Sequence, residues 1–151
     1  MTVQGLAALE AKLKRRIPDA AVKRLRAAME KSAEEIVQLM RRLVSVDSGD
    51  LRDSIGWTWG EAPKGAMVLG RSKQAIDGMT ITIYAGGGDA FHALFVEFGT
   101  RAHLAGGKFK GAEIPAIAAS PFFFPAWRAK RQSSKTRMAR AIRQGLKEGA
   151  V

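Results

Sequence analysis

The chain contains no cysteine and only two histidines, His92 and His103. Without thiols there is no disulfide, no thiolate nucleophile and no cysteine-built metal site. Two histidines limit the general acid–base chemistry available. Long apolar runs are missing as well. Nothing approaches the ~20 residues a membrane span needs, so no membrane partner is expected. The N-terminal stretch MTVQGLAALEAKLKRR lacks an apolar signal core followed by a small-residue cleavage site, so secretion is not expected. Acids are scarce: 14 Asp and Glu stand against 25 Lys and Arg, a net charge of +11 with a pI near 10.6.

What is present is ordinary globular composition, 46% hydrophobic and 26% charged over 151 residues. That length predicts one domain spanning 1–151, with roughly 70% of its unfolded surface buried. The positive balance favours nucleic acid, anionic membrane or acidic protein surfaces as partners. The basic residues gather near the ends. Lys12, Lys14, Arg15, Arg16, Lys23, Arg24 and Arg26 lie early; Arg128, Lys130, Arg131, Lys135, Arg137, Arg140, Arg143 and Lys147 lie late. Base readout or strand binding would want stacking aromatics among these charges. The late run has only Trp127 at its edge and the early run has none, so solvated helix faces are the simpler reading.

Hydrophobic periodicity places a helix over about 19–44. Val22, Leu25, Met29, Ala33, Ile36, Met40 and Leu43 form its stripe, and Asp19 after Pro18 is its expected N-cap. Leu6, Leu9 and Leu13 suggest a short helix before Pro18. Asp47-Ser48-Gly49-Asp50 is turn chemistry, and Leu51–Ile55 resumes as one helical turn. The centre reads as β structure: Ile55, Trp57 and Trp59 alternate, Ala66–Leu69 is apolar, and Met79, Ile81, Ile83 and Ala85 alternate with Thr80, Thr82 and Tyr84. Gly60–Gly65 and Gly70–Gly78 supply turns too short for parallel crossovers, so the sheet is antiparallel.

Gly86-Gly87-Gly88 ends the last strand. Asp89 can cap a short helix over Ala90–Phe98, whose Phe91, Leu94, Phe95 and Phe98 share a face; Phe95, Val96 and Phe98 read as core. Gly99–Ala119 has no clear period, and a loop of that length is usually functional or mobile. Ser120-Pro121-Phe122-Phe123-Phe124-Pro125 leads into a final helix, with Pro125 suited to its first turn. Trp127, Met138, Ile142 and Leu146 supply a sparse apolar stripe there. The expected fold is α+β: an antiparallel sheet of three or four strands with a long N-terminal helix, a short middle helix and a C-terminal helix, and a flexible loop at about 99–120.

Catalytic patterns are absent. There is no HExxH, and Asp89, His92 and Glu97 do not match a metal-binding helix spacing. There is no GxSxG elbow. Gly86-Gly87-Gly88 and Gly106-Gly107-Lys108 do not match the phosphate-cradling GxxxxGK[ST]. Glu34 and Glu35 are adjacent on a helix and point apart. No catalytic residue, cofactor or metal is expected, and no enzyme.

Three segments carry a resemblance. Ser45-Val46-Asp47-Ser48-Gly49-Asp50-Leu51-Arg52-Asp53-Ser54-Ile55 is similar to a "P-V-D-T-G-x-L-R-x-S-I" turn. Ala93-Leu94-Phe95-Val96-Glu97-Phe98-Gly99-Thr100 is similar to "Y-A-x-x-V-E-F-G-T", and Ser120-Pro121-Phe122-Phe123-Phe124-Pro125-Ala126 to "x-P-F-L-R-P-A". In this order, between two amphipathic helices, they resemble the head–tail joining or tail-completion family of long-tailed phages and prophages. Ser45 and Ser48 stand where that family has Pro and Thr, His92 near its Tyr, and Phe124 where Arg is common. Ser in place of Thr keeps the hydroxyl and so the turn.

The resemblance implies a structural component of the virion neck, made in the host cytoplasm. It would sit as a six-fold ring between head connector and tail tube, or as a tail terminator. Its partners would be other copies of itself, neighbouring neck and tail-tube proteins, and genome DNA through non-specific contact. The candidate assembly residues are Asp47, Ser48, Gly49, Leu51, Arg52, Glu97, Phe98, Gly99, Thr100, Arg101, Pro121, Phe122 and Pro125. Glu97, flanked by apolar residues, is expected to bond backbone amides or to pair with Arg52 or Arg101.

Overall fold

A computed structural model describes residues 18–68, 79–88 and 92–149. Leu6, Leu9 and Leu13, the early basic run through Arg16, the Gly70–Gly78 turn, Asp89 and Phe91 lie outside them. The elements in chain order are α1 (Asp19–Leu43), α2 (Asp50–Asp53), β1 (Gly56–Trp59), β2 (Met67–Val68), β3 (Ile81–Ala85), α3 (Ala93–Phe98), β4 (His103–Leu104), β5 (Glu113–Ile114) and α4 (Phe123–Glu148). This is the α+β arrangement read from periodicity.

The chain divides into two compact units. The first comprises 1–31 and 132–151, and its described part holds the start of α1 and most of α4. The helices touch through small residues. Ala21 is 1% exposed, and a Cβ built on Gly145 would stand 2.2 Å from the Ala21 Cα. Arg24 closes this unit with a bidentate pair to the Glu148 carboxylate through its Nε and Nη2. That hydrogen bond lowers the pKa of Glu148. The pair is solvated and adds little stability. Pro18 O accepts the first helical N–H, from Val22, so the cap position falls on Pro18 and Asp19 is the first residue inside the helix. The expected stripe on α4 is corrected here. Leu146 is 44% exposed, while Ser134, Ala141 and Gly145 face inward. Small residues carry almost no hydrophobic signal yet set the closest approach of two backbones.

The second unit, Ser32–Arg131, holds the main core. α1 contributes Ala33, Ile36, Val37, Met40 and the following Val44; Leu43, expected on the stripe, is 43% exposed. Leu51, Ile55, Ile83, Ala85, Ala93, Phe122, Phe123 and Ala126 complete the cluster. The sheet has order β1-β3-β2, with both neighbours antiparallel to the central β3. Trp57 lies opposite Ile83, and Met67 opposite Ala85. Thr82, on the polar side of the expected alternation, is also buried, and its hydroxyl bonds Gly60 O. Trp57 packs on the core while its indole N–H donates to Glu34, which also accepts from Gln38.

Gly99–Ala119 carries a hairpin. β4 and β5 pair antiparallel, His103 opposite Ile114, and Thr100 bridges Ile117 at the base. Residues 107–109 turn the tip as a short 3-10 helix.

The helix contact and the Glu34 bonds can each be tested. Gly→Ala inside a helix normally stabilises by up to ~1 kcal/mol. Here the Ala21 backbone blocks the added methyl, so Gly145→Ala reverses that sign and costs about 1–3 kcal/mol, seen as a lowered thermal midpoint. The second prediction concerns acid. The Gln38 and Trp57 hydrogen bonds hold the Glu34 carboxyl below its ordinary range. Its small stabilisation is therefore complete above the unfolded-state pKa and is lost as pH falls through the depressed folded-state value. An NMR titration of the Trp57 indole N–H should show a midpoint below the usual ~4.3, and Gln38→Ala should move it upward.

Candidate functional site

The three motifs meet in the second unit. The first is built by local turn chemistry. Gly49 has φ +96°, a conformation that only glycine adopts cheaply, and its carbonyl accepts the Asp53 N–H at 3.0 Å to start α2. Ser48 Oγ donates to Asp50 at 2.7 Å. Leu51 and Ile55 are buried and anchor the turn in the core. Arg41 on α1 donates to Ile55 O at 2.7 Å, and Ser54 Oγ accepts the Gly86 N–H at 2.9 Å, tying the turn to the end of β3. Asp47 and Arg52 are exposed, and Arg52 bonds the neighbouring Asp53.

The second and third motifs form one structure. Glu97, 3% exposed, aims its carboxylate at the start of α4. Oε2 accepts the amides of Phe122 and Phe123 at 2.8 and 2.9 Å, and Oε1 accepts that of Phe124 at 3.1 Å. A helix begins with four N–H groups that have no partner inside it. Three of these are met by Glu97, and the fourth position is Pro125, which has none to offer. The negative charge also faces the positive end of the helix dipole. Of the two partner types expected for Glu97, backbone amides are the ones found; Arg52 is engaged with Asp53, and Arg101 is exposed on the hairpin.

Gly99 lets the chain pass this joint. Its φ is +71°, and a Cβ there would stand 2.7 Å from Ile117 O and 2.9 Å from Ala119 N. Thr100 and Ile117 exchange both backbone bonds beside it, at 2.9 and 3.0 Å, and Ser120 N–H reaches Val96 O at 2.8 Å. The first motif joins through Ser45 Oγ, 2.9 Å from Ser120 Oγ. Phe122 and Phe123 are fully buried, whereas Pro121 is exposed.

Of the α3 residues read as core, Val96 packs against the core while Phe95 and Phe98 face outward. Leu94, Phe95 and Phe98 are 49%, 44% and 62% exposed, and the carboxylate between them points inward. Three unpartnered amides at a helix start outweigh a few half-buried apolar side chains. Phe98 has Phe124 as an aromatic neighbour, at a centroid distance of 5.9 Å. A small cavity of about 180 Å³ lies between the first motif and α3, lined by Ser45, Asp47, Ser48, Gly49, Leu51, Arg52, His92 and Val96. Ser45, Ser120, His92 and Val96 were not among the sequence candidates. Ser45 and Ser120 open their respective motifs, the signal that pointed to them.

Among the described residues no group of His, Asp and Glu could hold a metal ion, and no helix is long and apolar enough to cross a membrane. The joint is mechanical: turn, capped helix and core braced by backbone bonds, with apolar side chains left facing water. These are the features of a structural subunit. The chain belongs to the family described as "Bacteriophage HK97-gp10, putative tail-component", whose model matches residues 7–99 and so covers the first motif and the second up to Gly99. It is a structural phage tail protein, with its place in the virion. Comparison with curated proteins gave no match, and neither did comparison with solved structures.

The cap sets a prediction. Glu97→Ala strands three amides at about 1–3 kcal/mol each, so urea denaturation should show a loss of about 3 kcal/mol or more. Glu97→Gln keeps one accepting oxygen and should fall between. A Glu97→Ala variant within ~0.5 kcal/mol of the parent would sink the account.

Proposed function

We propose that this protein joins the head connector to the tail tube at the top of a phage tail, as one subunit of a ring with the tail's six-fold symmetry. The observation that carries the reading is the apolar surface of the second unit. Leu43, Val46, Leu94, Phe95, Phe98, Leu104, Phe109 and Ile117 are all at least 43% exposed. Large apolar surfaces on a folded subunit mark interaction sites. The rigid joint of the three motifs holds Leu94, Phe95 and Phe98 on α3, the hairpin segment displays Leu104, Phe109 and Ile117, and Leu43 and Val46 lie at and after the end of α1. A tail terminator of the same neck region would use the same surface.

The basic helix adds a second partner. α4 carries Arg128, Lys130, Arg131, Lys135, Arg137, Arg140, Arg143 and Lys147 against one acid, Glu148, which is paired with Arg24. In a ring through which the genome passes, such a helix supports non-specific phosphate contact that weakens steeply with salt. A stand-alone nucleic-acid-binding protein is the alternative this charge supports.

Negative-stain microscopy of particles made without the protein separates these readings. Full heads beside separate tails are expected for a joining subunit, and tails of uncontrolled length for a terminator. Normal tailed particles would overturn the neck reading and leave nucleic-acid binding.

A further inference from the structure

The hairpin tip and the cavity beside the first motif are chemically complementary and lie on one chain. We propose that the Lys108-Phe109-Lys110 tip of one copy docks into the cavity between the Asp47–Arg52 turn and α3 of a second copy. The proposal rests on the ring reading above and names the contact that builds the ring.

The tip is a shaped group. Ala105 N–H bonds Ala112 O at 2.8 Å, Gly111 N–H bonds Ala105 O at 3.0 Å, and Ala112 N–H bonds Phe109 O at 3.1 Å. Phe109 is nevertheless 71% exposed, so the tip is not seated on its own chain. An aromatic held out on a preorganised turn loses little entropy on binding.

The receiving side matches in charge. The recess is about 180 Å³ and open to solvent, with Leu51 and Val96 as the apolar members of a largely polar lining. Exposed Val46, Leu94 and Phe95 neighbour its lining residues in sequence. Asp47 and Arg52 both line the cavity, Arg52 bonded to Asp53 outside it; the turn as a whole carries three acids, Asp47, Asp50 and Asp53, to that one cation. In a chain of net charge +11, this turn is a local excess of acid, and the tip offers Lys108 and Lys110 to it. Such complementarity fixes partner and register. Tip and cavity are different surfaces, so the contact is head-to-tail, the geometry that generates rings when the rotation closes.

The natural absence of cysteine gives a clean test. Ala112→Cys with Val46→Cys, which leaves Lys108, Phe109 and Lys110 in place, treated in assembled particles with a short bis-maleimide, should give a ladder of multimers of this chain. Each single variant should stop at dimers. Separately, Lys108→Glu with Lys110→Glu, or Asp47→Lys with Asp50→Lys, should each lose joined particles, and combining the two reversals should restore them. Joined particles without a ladder and without charge rescue would overturn the docking while leaving the ring reading intact. Cross-linking of the Ala112→Cys variant to a different tail protein would also overturn it. Normal tailed particles in the complete absence of the protein would instead remove the ring reading on which it rests.

Discussion

Glu97 is the interaction on which the second unit depends. One buried carboxylate accepts three consecutive amides and so ends a short helix, starts a long one and pins the chain between them. The compensation comes from N–H dipoles at a helix start, a preorganised site for negative charge that needs no cation nearby. Phe122 and Phe123 can be fully buried because their amides are satisfied at the same time as their rings. The glycine two residues after the carboxylate and the proline at the third position of α4 follow from the same constraint. One clears space against Ile117 and Ala119; the other removes a donor that Glu97 could not reach as a fourth.

That constraint also explains the apolar surface. With Glu97 turned inward, the other side of α3 must turn outward, and Leu94, Phe95 and Phe98 go with it. The cap stabilises the folded chain by itself, and the apolar side chains it leaves in water are the kind of surface a subunit offers to partners. The family's structural role in the phage tail gives that surface its context.

Much of the fold was legible because its largest parts obey simple periods. α1 showed its stripe through Ala33, Ile36 and Met40, and β3 its alternation through Ile83 and Ala85. The turn at Gly49 was legible from Asp, Ser and Gly together. Other parts hid for physical reasons. The hairpin is exposed on both faces and held by backbone bonds among Gly, Ala and Lys, so it has no apolar period to read. The contact surface of α4 in the first unit is Gly145 against Ala21, and small residues look neutral in any hydrophobic pattern. On α3 an apolar residue is not always an inside one: Val96 packs on the core, but Phe95 and Phe98 face water. Glu97 itself was conspicuous as an acid among phenylalanines, but its partners lie 25–27 residues away and no local rule reaches that far.

The hairpin leaves and rejoins the rest of the unit at one bridged pair, Thr100 and Ile117. Its two ends are therefore neighbours, and its interior makes no contribution to the buried core. The family match, too, stops at residue 99, just before the hairpin begins. Such a segment can diverge in length and sequence while the capped joint beneath it stays unchanged. Residues between Thr100 and Ile117 can therefore change in length or identity without disturbing any hydrogen bond that Glu97 makes.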